Sequence, residues 1–142
     1  SIALTAAETG HLVIATLHTN NTSSTIDRII DAFPAEQQAQ IRVQLSTVLE
    51  CVLCQNLVPT VDGKRAAVYQ VLMPTMAVRN MIRENKTPQI PSALQTGKKF
   101  GMQTKDDHLC ELFLQRKISK ETALKYAEDE QQLTRKLEGF GR

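Results

Sequence analysis

Apolar positions recur at helical spacing along most of this chain, broken by stretches that read as strands. Residues 2–9, "IALTAAET", have helix-forming composition and stop at Gly10, a natural helix terminator. The run Leu12 to Leu17 is short, β-branched and continuous rather than alternating, which predicts a buried strand over residues 11–17. "TNNTSS", residues 19–24, is a polar loop that offers several helix N-caps. Ile26, Ile29, Ile30 and Phe33 then follow at i, i+3, i+4 and i+7, so an amphipathic helix ends near Pro34. From Ala35 to about Cys54 a long helix is expected, with Ile41, Leu45, Val48, Leu49 and Val52 on one face.

Residues 56–61 and 65–72 read as two strands around "DGKR", with Asp62-Gly63 as the hairpin signal. From Thr75 onward the pattern is helical, in segments near 75–85, 91–97, 104–116, 119–127 and 129–137. Pro88, Pro91, Gly97, Gly101 and the "KIS" turn separate them. The fold class expected is therefore α/β, followed by a helical bundle. The composition changes near Pro74, which divides the chain into residues 1–73 and 74–142.

Composition narrows the function classes. At 142 residues, 42% hydrophobic and 23% charged, the chain has the balance of an ordinary globular domain. A net charge of +2 leaves no broad electrostatic footprint for nucleic acid, and 4% aromatics with no Trp argue against base-stacking surfaces. No apolar run is long enough for a transmembrane segment. Three cysteines are a poor disulfide framework and fit a reducing, cytoplasmic compartment. Ser1-Ile2-Ala3-Leu4 opens inside a helical stretch without a methionine, which suggests a fragment.

His11 and His18 flank the first apolar run. On a strand, seven residues separate them by roughly 23 Å and place them on opposite faces, so they cannot share a metal ion. His11 is a polar residue at a strand start. His18 sits where an apolar run gives way to a polar loop and a helix, the position at which α/β folds bind ligands. An imidazole N–H there can donate to an anionic oxygen. "CVLC", residues 51–54, has the spacing of zinc and redox sites. A structural zinc needs four ligands, however, and a redox motif would open a helix rather than close one, so no metal is expected.

Within "TMAVRNMIRE", residues 75–84, Ala77, Val78, Met81 and Ile82 form an apolar stripe. Arg79, Asn80, Arg83 and Glu84 lie on the other side. Arg79 and Arg83 are like charges at i, i+4, mildly unfavourable without an anionic partner, which makes this face a candidate contact surface. "GMQTKDD", residues 101–107, is good helix-start chemistry and requires no catalytic explanation. No G-x-x-x-x-G-K-[ST] loop, H-E-x-x-H or hydrolase triad order is present.

Four stretches, in order, resemble one family. "LTAAETGHLVIATLHTN" is similar to the histidine box of the type IV pilus and type II secretion ATPases. "STIDRIIDAFP" is similar to the following helix in their PilT branch, the pilus retraction motors of twitching motility. "AVRNMIRE" resembles that branch's AIRNLIRE hallmark, with Val78 and Met81 in place of an isoleucine and a leucine. "SALQTGKKFGMQT" resembles its downstream Gly-Met-Gln-Thr element.

The resemblance implies that residues 1–73 are the C-terminal portion of a RecA-like ATPase domain, and that 74–142 are its helical C-terminal subdomain. It implies a parent that assembles as a homo-hexamer, binds ATP with Mg2+ between subunits, and works in the cytoplasm at the inner-membrane base of the pilus machine. A platform protein in that membrane is the implied partner. It further implies that His18, and less directly His11, are catalytic residues near the nucleotide phosphates, with Thr19 and Asn20 in a phosphate-proximal loop. Ala77 to Glu84 would belong to the motor's output. The family's Walker A and Walker B motifs precede the histidine box, and so would lie upstream of Ser1. Two other readings stand beside this one. A sister assembly or secretion ATPase usually carries four cysteines after the long helix, and residues 55–65 contain none. A non-hydrolysing adaptor module would lack the upstream phosphate loop altogether.

Overall fold

A computed structural model describes residues 2–140, and it opens with helix α1, Ile2–Glu8. Gly10 ends this helix in the left-handed region at φ +94°, a conformation that is cheap only without a Cβ. Its N–H reaches Ala7 O while the N–H of His11 reaches Ala6 O, the paired bonds of a Schellman cap.

The apolar run that follows departs from expectation. Residues 11–19 form no regular secondary structure, and Leu12 and Ile14 are more than four-fifths exposed. A continuous apolar strand is stable only with neighbours on both edges and cover on both faces. Among the described residues the sheet has two strands, which pair with each other and leave this run without a ladder.

Helix α2, Thr22–Asp31, begins at Asn21, whose side chain accepts from the N–H of Ser24. It buries Ile26 and Ile30 and leaves Ile29 and Phe33 partly covered, as the spacing predicts. After Pro34 a 3-10 turn, Ala35–Gln37, leads into α3, Gln38–Val48. The long helix expected through Cys54 stops here. Leu49 turns extended at ψ 126°, and β1 runs Val52–Pro59 with Val52 and Cys54 buried and Leu53 exposed. That alternation is a strand period, and it overrides the helical spacing assigned to Val52.

β2, Arg65–Leu72, returns antiparallel after a turn closed by Thr60 N to Lys64 O at 2.9 Å and by Gly63 at φ +79°. The helices beyond are α4 Met76–Arg83, α5 Ile90–Thr96, α6 Lys105–Leu114, α7 Lys120–Lys125 and α8 Glu130–Phe140. No helix of the described residues is long and apolar enough to cross a membrane.

The chain forms two compact units. The first comprises the residues up to Cys54 with Val71–Met102, around Ile26, Ile30, Leu45, Leu72, Val78, Ile82 and Ile90. The second comprises Gln55–Gln70 with Gln103 onward, around Val58, Val68, Leu109, Ile118, Leu133 and Leu137. Residues 74–102 pack in the first unit, and the turn end of the hairpin packs in the second.

Candidate functional site

The polar loop after His18 is pinned to the start of α2 by a short relay of hydrogen bonds. The Thr25 hydroxyl donates to Asn21 O at 2.9 Å, which leaves its oxygen to accept from the Thr19 hydroxyl at 2.5 Å. Arg28, one turn further along, donates from Nη1 to His18 O at 3.0 Å. Asn21 caps the helix at 2.8 Å and also accepts from the Ser23 hydroxyl at 2.9 Å. Every one of these bonds fixes backbone or a small hydroxyl. The side chains of His18 and Asn20 stay exposed, beside a helix N-terminus whose dipole favours negative charge.

His11 is held elsewhere. Its Nδ1 lies 3.3 Å from Ala6 O and 3.2 Å from Thr9 Oγ1, at the C-terminal end of α1. The two histidines are thus anchored through different helices, His11 through α1 and His18 through α2. The structure brings Thr19, Asn21 and Thr25 together and leaves His11 out of that cluster.

Helix α4 is capped by Thr75, whose hydroxyl accepts from Val78 N. Val78 and Ile82 are fully buried and Met81 is partly covered, but Ala77 is exposed, so the apolar stripe is narrower than the sequence suggested. The two arginines have different surroundings. Arg79 Nη1 donates to Ser46 O at 2.7 Å and to Thr47 O at 3.2 Å, the last-turn carbonyls of α3. Arg83 is exposed and, among the described residues, donates along its own helix, to Asn80 Oδ1 at 2.8 Å. Glu84 is paired with Lys86 at 3.2 Å, both well exposed.

A backbone carbonyl row, not an anion, therefore makes Arg79 comfortable beside Arg83. The sequence held a signal for this. Helix α3 has no basic residue in its last turn and no glycine after it, so its terminal carbonyls need an outside donor.

Cys51 and Cys54 also differ from expectation, since they flank the start of β1 instead of closing a helix. Three residues along a strand put them on opposite faces and roughly 10 Å apart, beyond the reach of one ion or one disulfide. Cys54 is buried, with Sγ 3.6 Å from the Thr25 hydroxyl, and burial pushes the Cys51 thiol up, toward its neutral form. Elemental analysis of the purified chain is expected to return no stoichiometric zinc. About one zinc per chain, lost on Cys51→Ser, would contradict this placement of the pair.

A family model described as type II/IV secretion system protein matches residues 1–137. The chain is 49% identical over 122 residues to the type IV pilus retraction ATPase PilT of Pseudomonas aeruginosa, covering 86% of this chain and 36% of that one. It is 48% identical over 134 residues to a twitching motility protein of Neisseria gonorrhoeae, covering 94% and 36%. It superposes on the crystal structure of the pilus retraction motor PilT with bound ADP at a TM-score of 0.82 and 44% identity, over 94% of this chain and 37% of that one. The chain spans about a third of the length of these relatives, and its α/β fold matches the C-terminal part of a PilT ATPase structure. With the family matched over nearly its whole length and its relatives named as retraction and twitching proteins, this chain belongs to the type II/IV secretion system proteins, in their PilT-type branch.

Proposed function

We propose that this chain is the C-terminal part of a hexameric motor ATPase that hydrolyses ATP to power type IV pilus retraction. The observation that carries the reading is the likeness to the retraction motor PilT, at 44% identity over 94% of the chain. The motor would work on the cytoplasmic face of the inner membrane, against a platform protein of the pilus machine.

Within it, His18 and Asn20 would face the nucleotide phosphates from a loop already fixed on α2. Their exposed side chains and the adjoining helix N-terminus suit an anionic ligand. His18 would donate to oxygens whose negative charge grows as the γ-phosphoryl group is transferred. Thr19 would set the loop's height through Thr25, and His11 would support the segment from the end of α1. Mg2+, which would offset phosphate charge in this chemistry, would meet no carboxylate in the loop of residues 11–21, and Asp27, within α2, accepts from the Thr87 hydroxyl at 2.7 Å. Its ligands would come from other parts of the parent.

The exposed residues of α4, Ala77, Asn80, Arg83 and Glu84, would carry movement outward to a neighbouring subunit or to the platform. Val78, Met81 and Ile82 would root the helix in the core, and Arg79 would tie it to α3. The test separates part from whole. The 142-residue chain is expected to show no ATP turnover, because phosphoryl transfer depends on a phosphate-cradling loop that this sequence does not contain. The full-length parent is expected to hydrolyse ATP as a ring. Turnover by the chain alone that scales with its concentration through further purification would overturn this division of labour.

A further inference from the structure

Among the described residues β2 pairs with β1 on one side only, and at Tyr69 its opposite edge is met by side chains of the second unit. Both backbone polar groups of Tyr69 are taken there. His108 Nδ1 accepts from Tyr69 N at 2.9 Å, and Gln103 Nε2 donates to Tyr69 O at 2.8 Å. The His108 ring also lies against the Tyr69 ring, with centroids 5.8 Å apart and planes inclined by 16°. The start of α6 thus docks on the strand as a third strand would, with a side-chain acceptor and a side-chain donor replacing backbone groups. A bare strand edge invites pairing with other chains, so this cover has value of its own.

The acceptor in that pair is an imidazole nitrogen, and only the neutral ring offers it. Protonation places a hydrogen on Nδ1, where it faces the Tyr69 N–H donor to donor. We propose that His108 is a proton-released latch that holds α6 on the open edge of β2 and lets go when the ring becomes charged.

The charged groups around the ring do not cancel this sensitivity. Glu111, one turn along α6, favours the imidazolium, and Lys117 beyond the helix opposes it. Burial outweighs both and holds His108 below the usual imidazole range. From β2 the neighbour is Tyr69 itself. Asp106 is occupied by the N–H groups of Glu128 and Asp129, and Asp107 by Lys136. Glu128 accepts from Gln70 at 3.4 Å, and burial pushes its carboxyl up, toward the neutral form. In the unfolded chain His108 takes its proton near the ordinary value of about 6.5. The latch therefore contributes fully above that value and is lost as the pH falls through it toward the lower folded value.

Nuclear magnetic resonance on the 142-residue chain tests the proposal. At pH ~7.5 the neutral His108 ring should carry its proton on Nε2, and the Tyr69 amide should be protected from exchange. After correction for intrinsic exchange, that protection should fall about tenfold by pH ~5, while Ile30 in the first unit keeps its own. In His108→Asn a carbonyl oxygen at the Nδ1 position can accept from Tyr69 without titrating, so its protection should ignore pH. A neutral ring protonated on Nδ1, Tyr69 protection that does not follow the His108 titration, or the same acid loss in the Asn variant would each overturn the latch. If the Asn variant does not fold, the tautomer and the wild-type exchange profile decide between these outcomes.

Discussion

In the full-length parent, His18→Ala is expected to lower kcat by ~10²–10³-fold, about 3–4 kcal/mol of transition-state stabilisation, while nucleotide affinity changes far less. The asymmetry follows from where the charge is. An N–H donor facing a phosphate that is already solvated contributes little to binding, and more once negative charge concentrates on the transferring oxygens. The loop's geometry makes a folding artefact a poor explanation for such a result. Arg28 holds His18 by its carbonyl, and the relay through Thr19, Thr25 and Asn21 does not involve the imidazole, so removing the ring leaves the scaffold standing. His11→Ala should be milder, because its ring contacts the end of α1 instead. Equal losses of affinity and rate in His18→Ala would point to ground-state binding, and the proposed role would fail.

The second large effect divides the two arginines of α4. Arg79→Ala should destabilise the fold by ~1.5–3 kcal/mol, since a half-buried charged donor leaves the Ser46 and Thr47 carbonyls at the end of α3. Arg83→Ala should change stability by less than about 0.5 kcal/mol, because its one contact lies on an exposed helix face. Denaturant unfolding of both variants reads this difference directly. In the parent the order reverses for function: Arg83→Ala should leave ring assembly and ATP hydrolysis largely intact while twitching is lost. Should hydrolysis fall in proportion to motility in that variant, α4 belongs to the catalytic cycle and the output role is wrong. An Arg79 variant cannot answer that question, because its fold changes as well.

What the sequence disclosed depended on whether the information was local. The Ile26, Ile29, Ile30, Phe33 stripe, the asparagine before α2 and the Asp62-Gly63 turn are complete signals within a few residues, and the corresponding elements form. The run from Leu12 to Leu17 reads as a strand because its composition anticipates neighbours on both sides. Among the described residues none pairs with it, and the segment lies exposed without regular structure. The end of α3 was missed for a different reason: helix and strand periods overlap at Val48, Leu49 and Val52, and only the pairing with β2 decides between them. Arg79 shows the limit of reading a face by charge alone. Spacing puts it beside Arg83, but the tertiary fold places the α3 carbonyls against one of them and solvent around the other. His108 was not singled out at all, since a histidine inside a helix announces nothing until the strand it serves is known.

Complementation asks whether this chain is part of a retraction motor. The gene for the full-length parent should be expressed in a type IV piliated strain that assembles pili but lacks its retraction ATPase, alongside a strain lacking its assembly ATPase. Twitching should return in the first strain, should fail to return there with His18→Ala at equal protein level, and should not be restored in the second. Pili restored in the assembly-deficient strain, with no twitching in the retraction-deficient one, would instead mark the parent as an assembly ATPase.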